Sequence, residues 1–398
     1  MLTFLKHNIL KFAGIALVLM LSLSESTAMA NKISIPIENN PGTFPESIEE
    51  SVIDPVYSPD GTMLSFSSNT VNSGALWLQS NSGSPSQIYQ SKKKLYSTIW
   101  SPDGNNIAFL ESEDETGSGY LPSKVLIYNL RSGLVTDTGA MVNGYKRFEY
   151  QDPVLEWSLD SKKMLICSNP IVVWDTDSLT TIQITEPGAK VQLASLSPSG
   201  NKVAYKKWGD NGEDILTVYD LRELKSSVIS RTPFYKIVEW HAPAPQWLDE
   251  NNLVMEVEYP DGRLGINKVN LTDKTSTKIS YPASNPQVAP NKEYLAFIRR
   301  DDKSAGIFEN ATLDLNTMKT YNIPESTGQV MKWSKDSTKL LLWDLEKAMV
   351  VTKEGKMLKS PVPVKIYGWA PAWAPDGSHL VISGKENGKT KMDKLLIP

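Results

Sequence analysis

Apolar and polar residues alternate in short runs along this chain, interrupted every few positions by Gly, Pro, Asn, Asp or Ser. That two-residue period belongs to β-strands, and no stretch sustains the 3.6-residue period of an amphipathic helix. The clearest unit is Trp100-Ser-Pro-Asp-Gly-Asn-Asn-Ile-Ala-Phe109. Trp100 ends one strand, Ser101 to Gly104 make a turn, and Ile107 and Phe109 begin the apolar side of the next strand. Proline presets φ at the second turn position, Asp suits the third, and glycine takes the left-handed conformation that closes the hairpin.

The unit recurs eight times, beginning at Tyr57, Trp100, Trp157, Leu196, Trp247, Val288, Trp333 and Trp373, at spacings of 39 to 57 residues. Each turn is followed by an apolar strand, as in Met63–Phe66 or Leu340–Leu342. A third strand follows, such as Leu126-Ile-Tyr-Asn-Leu130 or Val172-Val-Trp-Asp175, and then a short fourth, such as Thr181–Ile184 or Lys319–Ile323. Four strands per repeat at this period are the mark of a β-propeller. The expected fold is all-β, a propeller of eight four-stranded blades, with seven as the alternative if one hairpin is used elsewhere. After the eighth hairpin, Lys391–Ile397 suffices for a third strand only. Ile33-Ser-Ile-Pro-Ile37 alternates apolar and polar residues and is expected to supply the missing outer strand, latching the ring. Pro36 suits such an edge strand.

The Ser-Pro-Asp-Gly turns resemble the WD40-like repeats of TolB-type propellers, and similar blades occur in the propeller domains of prolyl-oligopeptidase-class peptidases. The copies at 57, 100 and 373 match the pattern closely, those at 157, 196, 288 and 333 in part, and the one at 247 least. Trp174-Asp175 resembles the Trp-Asp of WD40 blades. Neither the α/β domain that precedes the repeats in TolB nor the hydrolase domain of the peptidases accompanies them in this sequence. The resemblance therefore implies a fold and a style of action, the binding of a protein or ligand.

Residues 1–30 read as a leader. Lys6, His7 and Lys11 precede an apolar run from Phe12 to Leu23, and Ala28-Met29-Ala30 offers small residues for cleavage after Ala30. The run is short for a membrane span, so a cleaved signal peptide is expected. Residues 31–398 are then one propeller domain, secreted, periplasmic or in the cell envelope. It is expected to be monomeric, with no stable membrane insertion. A net charge of −4 without a basic block argues against nucleic acid as a partner. Cys167 is the one cysteine, which rules out an internal disulfide, and it reads as a small core residue.

Candidate chemistry is sparse. There is no Gly-x-Ser-x-Gly elbow and no His-Glu-x-x-His, and only His241 and His379 follow the leader. His379 lies beside a turn and is expected to be solvated. Asp210-Asn-Gly-Glu-Asp214 is rich in oxygen ligands for Ca²⁺ but lacks the EF-hand spacing, and it reads more simply as a solvated loop. Glu111–Gly119 reads the same way. Asp54 and Asp152 fall on innermost strands, where a channel could hold a cation. Asn270-Leu-Thr and Asn310-Ala-Thr match glycosylation sequons. No catalytic residue and no cofactor is expected, a channel or loop Ca²⁺ being the open alternative.

The stronger signal is aromatic. Links from a fourth strand to the next blade share one face with links between second and third strands. Three of them are rich in Tyr, Trp and Phe beside charged residues. They carry Tyr145, Phe148 and Tyr150; Phe234, Tyr235, Trp240 and His241; and Tyr367 and Trp369. Large rigid side chains among charges are typical of recognition surfaces, although the same residues could plug the channel or pack between blades. The expected function is a secreted, non-enzymatic scaffold binding a protein, peptide or glycan on that face. One alternative is a propeller lyase or hydrolase with acids and a cation in its channel. Another is a structural component of an envelope or secretion complex.

Overall fold

Eight antiparallel sheets succeed one another along the chain, each built from consecutive strands, seven of them four-stranded and the last three-stranded. In this computed structural model residues 51–398 are described, apart from 81–82, 114–121, 143–154, 211, 234–242, 301–307, 325, 327–329, 344–346, 364–370 and 387–388. The innermost strands of blades 1 to 8 are Ser51–Tyr57, Leu95–Trp100, Leu155–Trp157, Val191–Leu196, Gln246–Trp247, Ala283–Val288, Val330–Trp333 and Ala372–Trp373. These pack side by side around a central channel, and the first strand of blade 1 lies against all three strands of blade 8. The ring is a β-propeller of eight blades, not seven. Among the described residues blade 8 consists of Ala372–Trp373, His379–Glu386 and Lys389–Leu396. The segment expected to complete it, 33–37, lies outside the described residues.

Each sheet is sandwiched between two neighbours, so its middle strands are buried on both faces and lose the simple alternation of a one-sided strand. Phe66, Phe109, Phe297 and the run Leu340-Leu341-Leu342 are fully buried. The apolar clusters form between blades. Phe66 and Trp77 of blade 1 pack with Ala372 and Val381 of blade 8, and Ala204 and Leu216 of blade 4 with Trp247 and Met255 of blade 5.

The strand-ending tryptophans also join blades by hydrogen bonds. The indole N–H of Trp157 donates to the carbonyl of Ile99 (3.4 Å), Trp247 to Ser195 (3.2 Å), Trp333 to Gln287 (2.9 Å) and Trp373 to Lys332 (3.1 Å). Trp100 reaches Val56 O at 3.2 Å and Ser65 Oγ at 2.8 Å. In every case the acceptor belongs to the preceding blade.

The turns after these strands repeat one set of bonds. Ser58, Ser101, Ser158 and Ser334 each donate to the Asp two residues on, at 2.5 to 2.6 Å. Gly104 closes its turn at φ 71°. Where the glycine is missing, Ser161, Lys292 and Ser337 still take φ of 61°, 64° and 62°. The two serines compensate for that strain, because Ser161 Oγ accepts the Asp103 N–H and Ser337 Oγ the Asn291 N–H, both at 2.9 Å. Each of these bonds ties a turn to the blade before it.

Candidate functional site

All nine aromatic and histidine candidates, Tyr145, Phe148, Tyr150, Phe234, Tyr235, Trp240, His241, Tyr367 and Trp369, lie outside the described residues, as does Asp152. The strands that flank them are described. Leu134–Val142 ends blade 2 before Leu155–Trp157, Lys225–Pro233 ends blade 4 before Gln246–Trp247, and Met357–Pro363 ends blade 7 before Ala372–Trp373. Because the strands alternate in direction, these three links leave from the same end of the ring. Links at this end differ widely in length: twelve residues separate Val142 from Leu155, but two separate Ser280 from Ala283.

The channel side is occupied by clasps between blades. An innermost strand is a sheet edge, with backbone groups left unpaired on its inner side, and these need partners. Side chains of the preceding blade provide them. Glu156 Oε2 accepts the N–H of Leu196 at 2.9 Å. Gln246 Oε1 accepts the N–H of Val288 at 2.6 Å, while its Nε2 donates to Pro286 O at 2.5 Å. Ser195 Oγ donates to Pro245 O, and Lys332 Nζ to Pro371 O at 3.4 Å. These four residues each stand one position before the end of their innermost strand.

A second set lies three residues before the strand end, where Asp54, Ser97 and Asn285 have φ of 51°, 55° and 52° in bulges of blades 1, 2 and 6. Asp54 Oδ2 accepts the N–H of Ser97 at 2.6 Å, and Glu256 Oε2 that of Asn285 at 2.8 Å. The acid read from sequence as a possible cation ligand thus holds the neighbouring blade.

Burial in the ring pushes the Asp54 carboxyl up to about 6, against the opposing pull of the Ser97 N–H and the Lys332 ammonium. It pushes Glu156 up to about 7, against the Leu196 N–H and the more distant Lys292. Lys332 is pushed down by the same burial, partly offset by Asp54. Asp54, Glu156 and Lys332 remain half-buried, so channel water softens this desolvation.

Three expectations are corrected. Glu111 does not open a solvated loop: it lies buried in the second strand of blade 2, where its Oε1 accepts the Tyr89 hydroxyl at 2.9 Å. His379 is not simply solvated: its Nε2 pairs with the Tyr57 hydroxyl at 2.7 Å and its Nδ1 with Ser378 Oγ at 2.9 Å, across the seam between blades 8 and 1. Burial and Lys394 hold its pKa below the ordinary value, opposed by Asp376. Asp214 is not part of a solvated loop. It lies in the third strand of blade 4, buried, with Oδ2 2.9 Å from the Lys206 ammonium. The sequon residue Asn310 is fully buried, and Asn270 Oδ1 accepts two N–H groups of its own turn, at 2.9 and 3.2 Å. Among the described residues no three His, Cys, Asp or Glu side chains gather as a metal site would require.

No family profile and no curated protein matches the chain. Solved propellers do. The dipeptidyl peptidase 4 of Porphyromonas gingivalis superposes with a TM-score of 0.59 at 12% identity, covering 92% of this chain and 61% of that longer protein. An oligogalacturonate lyase in complex with manganese gives 0.52 at 11% identity, covering 93% and 99%. The C-terminal WD40 domain of Sif2 gives 0.52 at 12% identity, covering 94% and 99%. TolB from Acinetobacter baumannii is a weaker match, at 0.41 and 12% identity over 77% of this chain and 62% of that one. The protein is an eight-bladed β-propeller, and at these identities the likeness extends to the fold alone. Enzymes and non-enzymes both stand among its structural neighbours.

Proposed function

We propose that this propeller is an exported, non-enzymatic scaffold that binds a protein, peptide or glycan on the face where blades are linked. One observation supports the reading above others: Asp54, Glu156, Ser195, Gln246 and Lys332 of the inner strands are engaged between blades, while link length varies at a single end. Function in such a ring belongs where the repeats differ. Replacing Tyr145, Phe148, Trp240 and Trp369 together by alanine is expected to abolish capture of partners from a secreted fraction with the unfolding temperature kept. Capture surviving all four changes would overturn the face assignment. If the captured partner is an envelope assembly retained through purification, the scaffold is a structural component of it. Export is tested by terminal sequencing of protein recovered outside the cytoplasm, which should begin at Asn31, not Met1.

The raised carboxyls of Asp54 and Glu156 favour a second reading, because perturbed acids gather at catalytic sites. In that reading the channel holds a divalent cation and performs lyase or hydrolase chemistry. Titration with Mn²⁺ or Ca²⁺ would then show a site lost in Asp54→Asn. Equal behaviour of variant and parent would remove this reading.

A further inference from the structure

On the linking face, blade 5 carries an aromatic cluster built from turn residues. Tyr259 follows the second strand of blade 5 (Asn252–Glu258), and Tyr281 follows its fourth (Ser276–Ser280), so the topology brings both to that face. Their rings meet nearly edge to face, centroids 4.8 Å apart at 62°. The Tyr259 hydroxyl donates to Asn267 Oδ1 at 2.7 Å, and the Tyr281 hydroxyl to the Asp261 carboxylate. Asp261 in turn pairs with Arg263, Nε to Oδ2, at 3.4 Å. Gly265 makes the arrangement possible, since a Cβ there would stand 2.6 Å from Tyr259 Cε2. Both rings are held from below and at their hydroxyls, so they are rigid before anything binds.

Over this pair sits Lys278, its ammonium 5.5 Å from the Tyr259 centroid and 5.3 Å from that of Tyr281. The rings attract the ammonium but do not neutralise it. Lys278 is exposed and, among the described residues, has no carboxylate partner. Asp261, by contrast, is already balanced by Arg263. The ledge therefore combines an uncompensated cation, part-exposed aromatic surface and a polar rim of Arg263, Asp261 and Asn267.

We propose that the ledge of Tyr259, Tyr281 and Lys278 on blade 5 is a binding site for a carboxylate-bearing sugar. The proposal rests on the reading of the linking face as the recognition face. The carboxylate meets Lys278, the C–H side of the sugar ring lies on tyrosine, and its hydroxyls meet the polar rim of Arg263, Asp261 and Asn267. Part-exposed aromatic surface with a polar rim suits a pyranose, whose one face is C–H and whose edge is hydroxyl. Rigid contact groups reduce the ordering cost of binding.

The test uses the full chain and a hexamer of an unesterified uronic acid, with its neutral methyl ester and hexaglutamate as controls, titrated calorimetrically at low salt. The acid hexamer should bind at least tenfold more tightly than the ester, and added salt should erode the difference. Lys278→Met should remove that preference with the unfolding temperature unchanged. Tyr281→Phe, which keeps the ring, should lose less than Tyr281→Ala. An acid hexamer that fails to bind, that binds Lys278→Met equally, or that binds no better than hexaglutamate overturns the ledge. The alanine variant at Tyr145, Phe148, Trp240 and Trp369 separates the two proposals. Binding lost there but kept in Lys278→Met sinks the ledge and leaves the face reading standing. Binding of the acid hexamer kept in both variants sinks both.

Discussion

Glu156 in blade 3 and Gln246 in blade 5 stand in the same place, one residue before the tryptophan that ends the innermost strand. Each accepts the N–H of the residue that ends the next blade's innermost strand, at 2.9 Å and 2.6 Å. One carries a carboxyl with a pKa near neutrality, pushed up to about 7; the other cannot ionise. In these two blades the residue at this position serves the neighbouring edge strand as a hydrogen-bond acceptor, and the amide does so without a charge. A propeller can thus place an acid in its channel for a structural reason, and the cation titration of Asp54→Asn separates that role from a catalytic one.

The coarsest way to break the Gln246 clasp is to remove the indole beside it. Trp247 is buried and donates to Ser195 O, so Trp247→Ala should cost about 3–5 kcal/mol, read by denaturant unfolding. Next comes Gln246→Ala, which strips partners from both Val288 N–H and Pro286 C=O. Its expected cost is about 2–4 kcal/mol, exceeding that of Glu156→Ala, which orphans a single N–H. If the two cost the same, the second bond of Gln246 contributes nothing. A smaller effect tests the turn clasp. Ser337→Ala keeps the left-handed strain and loses the bond from Asn291, so it should cost about 1–2 kcal/mol. Ser337→Gly loses the bond but relieves the strain and should be close to neutral.

Much of this ring was legible in the sequence because its regular parts are local. The turn residues and strand-ending aromatics lie within ten positions of one another, and they gave eight blades and the inner strand of each. Left-handed turn positions were visible where they carry glycine, as at Gly104, and invisible at Ser161 and Ser337, whose fitness depends on a hydroxyl bonding the previous blade. The clasps escaped for a related reason. Their position holds Val56, Ile99, Glu156, Ser195, Gln246, Gln287, Lys332 and Ala372, with no shared chemistry, and each partner lies about a repeat away. His379 was misread because Tyr57 is 322 residues distant. Tyr259 and Tyr281 sit in ordinary turn sequence, and only the topology of blade 5 brings them together.

The most direct test of the clasp is the stability of Glu156→Gln against pH. A carboxyl raised from 4.5 to about 7 in the fold binds its proton more tightly folded than unfolded. Stability is therefore lost as pH rises from about 4.5 to about 7 and is level above that range. Full desolvation would make the loss about 3 kcal/mol, and channel water reduces it. Denaturant unfolding from pH 5 to pH 8 should find Glu156→Gln close to the parent at pH 5 and more stable than it at pH 8. A variant less stable than the parent at pH 8 would show that the charge itself holds the blades, contradicting the account.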